Sequence, residues 1–132
     1  MYYNDKTILF LDGKWVKANE ASTDLFSQTL HYGSGVFEGI RSYETEDGAL
    51  VFKAKEHFER LHYSAEKMHI NLKYSVEELT ALTHELLEKN NLKNAYIRPL
   101  VYLGQNMSLQ PTEEVHVMLC AWNWERYLGN HQ

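Results

Sequence analysis

Two stretches of this 132-residue chain hold side chains whose types and spacing suit a binding site. One runs Leu30-His31-Tyr32-Gly33-Ser34-Gly35-Val36-Phe37-Glu38-Gly39-Ile40-Arg41; the other is Ala95-Tyr96-Ile97-Arg98-Pro99. In an extended strand successive side chains alternate between faces. Phe37, Gly39, Arg41 and Tyr43 therefore share one face, and Glu38, Ile40 and Ser42 the other. A glycine within a strand marks either a bulge or close approach by a ligand or another backbone. Beside Phe37, Gly39 outlines a slot for an aromatic ring or an apolar side chain. Tyr96, Arg98, Leu100 and Tyr102 share a face of their own strand. An arginine grips a carboxylate through two parallel bonds, and a tyrosine hydroxyl adds a third. The chemistry on offer is recognition of a flat, anionic small molecule; the competing reading of Arg98 is an ion pair with a neighbouring glutamate.

Other chemistries fit less well. Gly33-Ser34-Gly35 is not a dinucleotide loop, because the pattern requires glycine where Glu38 stands, and a carboxylate there repels a pyrophosphate. Arg60 lies off the apolar stripe of its segment, near His57 and Ser64 on a helical wheel. It is placed either to reach a phosphate or simply to meet solvent. His57, His62 and His69 lack metal-ligand spacing, so no metal site is expected. Cys120, the single cysteine, falls in an apolar strand pattern that does not suit a nucleophile.

These residues must be positioned by ordinary folded elements. Apolar residues make up 44% and charged residues 23% of the chain, the balance of a globular domain with a real core. The net charge of -5, with no basic run, argues against nucleic acid as a partner. No apolar run approaches a membrane span and no secretory leader is visible, so a cytoplasmic protein without a membrane partner is expected. Asp12-Gly13 predicts a hairpin between Ile8–Leu11 and Trp15–Ala18. Glu46-Asp47-Gly48 predicts a second one, between strands 38–44 and 49–53. Phe58, Leu61, Ala65 and Met68 form the apolar stripe of a first helix. Ser75 with Glu78 forms a capping box that opens a second, with its stripe on Val76, Leu79, Leu82, Leu86 and Leu87 and its end at Asn90-Asn91. Strands over 95–103 and 115–124 close the pattern, with Pro99 better suited to an edge or bulge than to a central position. The order predicts an α+β fold, residues 1–132 forming one domain with a helix pair on one face of an antiparallel-rich sheet.

The stretch Leu30 to Arg41, then Val51-Phe52, Glu56-His57, Arg60-Leu61, Ser64-Ala65, Ala95 to Leu100 and Tyr127-Leu128-Gly129, resembles the bacterial branched-chain amino-acid aminotransferases. The resemblance covers nearly the whole chain, with separated motifs in order. It implies the smaller, N-terminal domain of a fold-type IV pyridoxal-phosphate enzyme that moves an amino group between Leu, Ile or Val and 2-oxoglutarate. By that resemblance Arg60 matches the arginine on the cofactor phosphate. Tyr96 is similar to the tyrosine at the substrate α-carboxylate, and Arg98 to the arginine for the distal carboxylate of glutamate. Phe37, Gly39 and Trp124 match the lining of the side-chain pocket. Tyr32 and Tyr127 match tyrosines that complete a neighbouring subunit's pocket, which implies a homo-oligomer. The resemblance also implies that the Schiff-base lysine lies beyond residue 132. The chain alone is then expected to contain no catalytic residue, to be inactive, and to self-associate through exposed apolar surface. On the same scaffold, a D-amino-acid aminotransferase, an aminodeoxychorismate lyase or a non-catalytic binding module are alternatives; the motif around Tyr96-Ile97-Arg98 favours the branched-chain type.

Overall fold

The computed structural model describes residues 2–124. The expected α+β architecture is observed. Strands β1 (Ile8–Leu11), β2 (Lys14–Lys17), β3 (Val36–Phe37), β4 (Ile40–Thr45), β5 (Gly48–Val51), β6 (Ala95–Leu103) and β7 (Val115–Asn123) form one antiparallel sheet. Its order is β2-β1-β7-β6-β4-β5, and β3 joins β6 beside β4. Helices α1 (Gln28–Tyr32), α2 (Ala54–Lys67) and α3 (Val76–Lys89), with a short 3-10 turn at Ala18–Glu20, complete the described elements. No described helix is long and apolar enough to cross a membrane.

Local signals account for most of this. Asp12 and Gly13 both adopt positive φ, as a two-residue hairpin turn requires. The Ser75 hydroxyl accepts from the Glu78 N–H, and the Glu78 carboxylate accepts from the Ser75 N–H, each at 3.0 Å. At the far end of α3, the Asn90 amide donates to Leu86 O and Ile8 O and accepts from the Ile8 N–H, stitching the helix end to β1. Phe58, Leu61 and Ala65 of α2 and Leu79, Leu86 and Leu87 of α3 bury their stripes against Ile40, Ile97, Val101 and Leu119 of the sheet. Met68 departs from the expected stripe. It caps the end of α2 and is 44% exposed, because the chain leaves the helix there and His69 takes a positive φ.

The second expected hairpin is present, but its first strand is broken. Residues 38 and 39 separate β3 from β4 instead of continuing a strand. The cause lies across the sheet. Pro99 sits inside the central strand β6, where it has no N–H to give. Its carbonyl accepts from the Glu38 N–H at 3.2 Å, and regular pairing resumes at Ile40 opposite Ile97. The register is the same on both sides of the break, with Phe37 opposite Leu100 and Ile40 opposite Ile97, so no residue is inserted. Pro99 stands in a central strand without a bulge, against the expected edge or bulge position.

A second link ties the β1–β2 turn to β7. His116 bonds the Asp12 carboxylate through Nδ1 at 2.6 Å and the Glu114 carboxylate through Nε2 at 2.9 Å. Burial pulls the His116 pKa down, but hydrogen bonds and charge from Glu114 and Asp12 outweigh it and raise the net value. Glu114 is held below the usual carboxylate range by the same imidazole and by the Gln105 N–H. A raised histidine contributes stability that is complete below its unfolded pKa and lost as pH climbs through the folded value; a lowered carboxylate contributes above its unfolded pKa and fails as pH falls. The clamp is therefore strongest at about pH 5–6.5. Thermal melts should show a midpoint falling from about pH 6 to pH 9, a slope that His116→Phe removes. Equal slopes in both proteins would rule out the clamp.

Candidate functional site

The break between β3 and β4 gathers the charged groups. Side chains of odd residues 37, 41 and 43 and of even residues 96, 98 and 100 lie on the sheet face away from α2 and α3, while Val36, Glu38, Ile40 and Ser42 are buried towards the helices. On the open face the Arg98 guanidinium lies 4.3 Å from the Phe37 ring centroid, a cation–π distance. Its Nη2 donates to the Tyr96 hydroxyl at 3.0 Å. That hydroxyl, acting as acceptor, keeps its own proton to give to a guest oxygen. Arg98 joins no ion pair among the described residues, and its Nε is buried without a hydrogen-bond partner. A buried donor of this kind costs free energy until something accepts from it. The competing role of Arg98 as half of a glutamate pair is not observed.

Gly39 lies against Tyr96. A methyl group at residue 39 would sit 2.1 Å from the Tyr96 hydroxyl oxygen and 2.9 Å from its ring carbon Cζ. The approaching group is thus a side chain, not a ligand or backbone. Trp122 fixes the ring from the other side, stacked at 4.9 Å and 26°. Gly39→Ala should therefore push Tyr96 off Arg98 and cost about 1–3 kcal/mol, with Tyr96→Ala in the same chain restoring stability. Urea melts of the single and double variants decide it; an additive double variant would mean that residue 39 and Tyr96 do not compete for space.

On the helix side of the same break, Glu38 is 5% exposed and meets Arg60 through two bonds, Nε to Oε2 at 2.9 Å and Nη2 to Oε1 at 2.8 Å. His57 Nδ1 adds a third contact to Oε1 at 2.8 Å. Burial pushes the Glu38 carboxyl up, but the Arg60 and His57 hydrogen bonds and charges outweigh it and hold it below the usual range. Arg60 is neither a free surface cation nor part of the Arg98 cluster. The two arginines are anchored to consecutive residues, Arg98 on Phe37 and Arg60 on Glu38, from opposite faces.

The remaining predicted residues lie apart. Tyr32, exposed at the end of α1, donates to Met107 O at 2.9 Å. Trp124 donates from its indole to Ser42 O at 3.2 Å and packs edge-on against Tyr43, with Arg41 over its ring at 5.4 Å. Tyr127 lies outside the described residues. Glu38 and Trp122 escaped the sequence reading as contributors here. Their roles depend on cross-sheet and helix-to-sheet neighbours, and only the even parity of residue 122 hinted at its face. Cys120 pairs with Arg98 in the ladder. Burial drives its thiol up to about 11, against the opposing Arg98 charge, so it stays protonated near neutral pH. No group of described histidine, cysteine and acidic residues forms a metal site. An apolar cavity of about 420 Å³ opens on the same sheet face between Leu9, Leu100, Tyr102, Met118 and Cys120; it includes none of the predicted site residues, and the charged break is the better candidate because the polar groups are there.

Fold and site together define a class of protein: an α+β domain with a strand break flanked by two arginines. Residues 35–131 match the family model for amino-transferase class IV, and the chain belongs to that family. It is 40% identical over 124 residues to a branched-chain-amino-acid aminotransferase of Pseudomonas aeruginosa, a match spanning 92% of this chain and 40% of the relative. The crystal structure of the Escherichia coli branched-chain amino acid aminotransferase superposes with a TM-score of 0.86 at 36% identity, over 90% of this chain and 40% of that one. The T.th. branched-chain amino acid aminotransferase with pyridoxamine 5′-phosphate gives a TM-score of 0.85 at 36% identity, over 91% of this chain and 41% of that one. The chain thus spans about 40% of the length of the curated relatives it matches.

Proposed function

We propose that this chain is the N-terminal, substrate-gripping domain of a branched-chain amino-acid aminotransferase that exchanges amino groups between Leu, Ile or Val and 2-oxoglutarate. The observation that supports this most is Arg98: a guanidinium with an unused buried N–H, laid over Phe37 and beside the Tyr96 hydroxyl. One wall then serves two kinds of guest. A leucine-like side chain packs on Phe37; a glutamate-like one places its distal carboxylate on Arg98, and the Tyr96 hydroxyl, seated in the space left by Gly39, donates to the guest's α-carboxylate. Trp124, near Tyr43, closes the apolar side.

Pyridoxal phosphate is the cofactor of this reading. The residues present fit its phosphate, since Arg60 is 65% exposed and keeps donors free of Glu38. When bound, the coenzyme supplies the electron sink and the amino carrier. This chain's part is to hold phosphate and carboxylates and to turn the guest. All nine lysines are described and exposed, so none is desolvated as bonding to the coenzyme aldehyde demands. The chain alone therefore performs no transamination. Leu25, Phe26, Leu30, Tyr32, Met107 and Leu109 expose apolar surface around α1 and the β6–β7 loop. That surface supports association with a second copy, in which Tyr32 and Tyr127 reach a neighbour's pocket. A cytoplasmic location goes with this reading.

The test has two arms. Calorimetry should detect both 2-oxoglutarate and 4-methyl-2-oxopentanoate binding to the chain, in competition with each other. Incubation with pyridoxal phosphate, borohydride reduction and weighing should show no stoichiometric adduct at a single lysine. Independent binding of the two acids, or one specific adduct accompanied by turnover, would overturn the reading.

A further inference from the structure

Arg60 meets Glu38 side-on, through Nε and Nη2. A guanidinium holds five N–H donors in one plane. The pair uses two, which leaves two on Nη1 and one on Nη2 along the edge turned away from the carboxylate. Glu38 is 5% exposed and the Arg60 side chain 65%, so the paired edge is dry and the free edge wet. Glu38 is itself fixed, by its N–H on Pro99 O at 3.2 Å and by His57 on Oε1 at 2.8 Å. We infer that Glu38 is a positioning residue: it locks the plane of the Arg60 guanidinium so that the free edge presents preset donors to a phosphoryl group.

This rests on the reading of Arg60 as the phosphate contact and adds the residue that aims it. An unrestrained arginine loses rotamer freedom when it binds; here that loss is taken on folding. The carboxylate also cancels much of the local positive charge. What the pair offers a phosphate is therefore geometry, which lysine, a point charge on a flexible stem, does not supply. The same three-residue segment places Phe37 under Arg98, so the turn that aims one arginine seats the other.

The experiment follows the Arg60 Nε–H by NMR in the isotope-labelled chain and titrates pyridoxamine 5′-phosphate against pyridoxamine, neither of which has an aldehyde to attack surface lysines. The wild-type Nε–H should exchange slowly with solvent, and the phosphorylated ligand should bind about tenfold more tightly or better. Glu38→Gln should speed that exchange and lower the phosphate preference about fivefold while leaving pyridoxamine affinity unchanged. In an Arg60→Ala chain the same change should move nothing. Arg60→Lys, at an exposed position that does not threaten folding, keeps the charge and removes the fork; its preference should fall as well. Fast Nε–H exchange in the wild type, equal loss of both ligands in Glu38→Gln, or full preference in Arg60→Lys would overturn the positioning role. Slow exchange with no preference for the phosphate at all would instead remove the phosphate reading of Arg60, and this inference with it.

Discussion

Arg98→Met should, on the proposed reading, weaken the binding of a dicarboxylic keto acid without unfolding the chain. Hydrogen bonds to charged groups are worth about 1.5–3 kcal/mol, so 2-oxoglutarate affinity should fall about 10–100-fold. Affinity for 4-methyl-2-oxopentanoate should change little, because methionine still packs on Phe37. The stability result is the sharper one. Arg98 Nε is buried with no partner, and its removal relieves that cost. Against this stands the loss of the cation–π contact with Phe37, about 0.5–2 kcal/mol. The two effects nearly cancel, and the unfolding free energy should move by no more than about 1 kcal/mol. Calorimetry with both acids and a urea melt measure the pair. A large drop in stability would mean that Arg98 is a structural residue, and an unchanged 2-oxoglutarate affinity would remove it from the site.

Phe58→Ala should cost about 3–5 kcal/mol and lower the melting midpoint by roughly 10–20 °C. Phe58 is fully buried in the layer between α2 and the sheet, where its loss leaves a cavity that packed neighbours do not refill. The functional consequence follows from position. Phe58 falls between His57 and Arg60 in α2, so its packing sets how far both reach towards Glu38. A partly folded variant should lose the Arg60–Glu38 pair before the α3 capping box, which hydrogen exchange resolves by segment. Phe58→Leu, which keeps most of the volume, should cost less than about 1.5 kcal/mol. A cost near zero for the alanine variant would mean that α2 is not seated on this core.

Comparing pattern with structure shows which signals were local. The Asp12-Gly13 turn, the Ser75–Glu78 box and the end of α3 at Asn90 are each complete within a few residues, and each was legible. The strand over 95–103 was legible to the residue because its alternation is uninterrupted. The break at 38–39 was not, since its cause, Pro99, lies some sixty positions away and acts only once the strands pair. The five residues of α1 carry too short a period to stand out. At the site, Arg98 and Tyr96 were found together because both lie on one strand at spacing two. Spacing left Arg60 open between a phosphate and solvent, and only the family resemblance favoured the phosphate; its engagement with Glu38 depends on how α2 docks on the sheet.

By itself the sequence determined the two long helices and most of their buried stripes, the two hairpins, and which side chains of each strand travel together. Those follow from backbone periodicity and capping chemistry, which act over one or two turns. Only the tertiary structure decided that Gly39 makes room for Tyr96, that Trp122 stacks on the same ring, and that the two arginines are anchored to neighbouring residues from opposite faces. Each of those depends on strand register and on helix-to-sheet docking. Register and docking are settled by burying apolar area across the whole fold, which no short window of residues encodes.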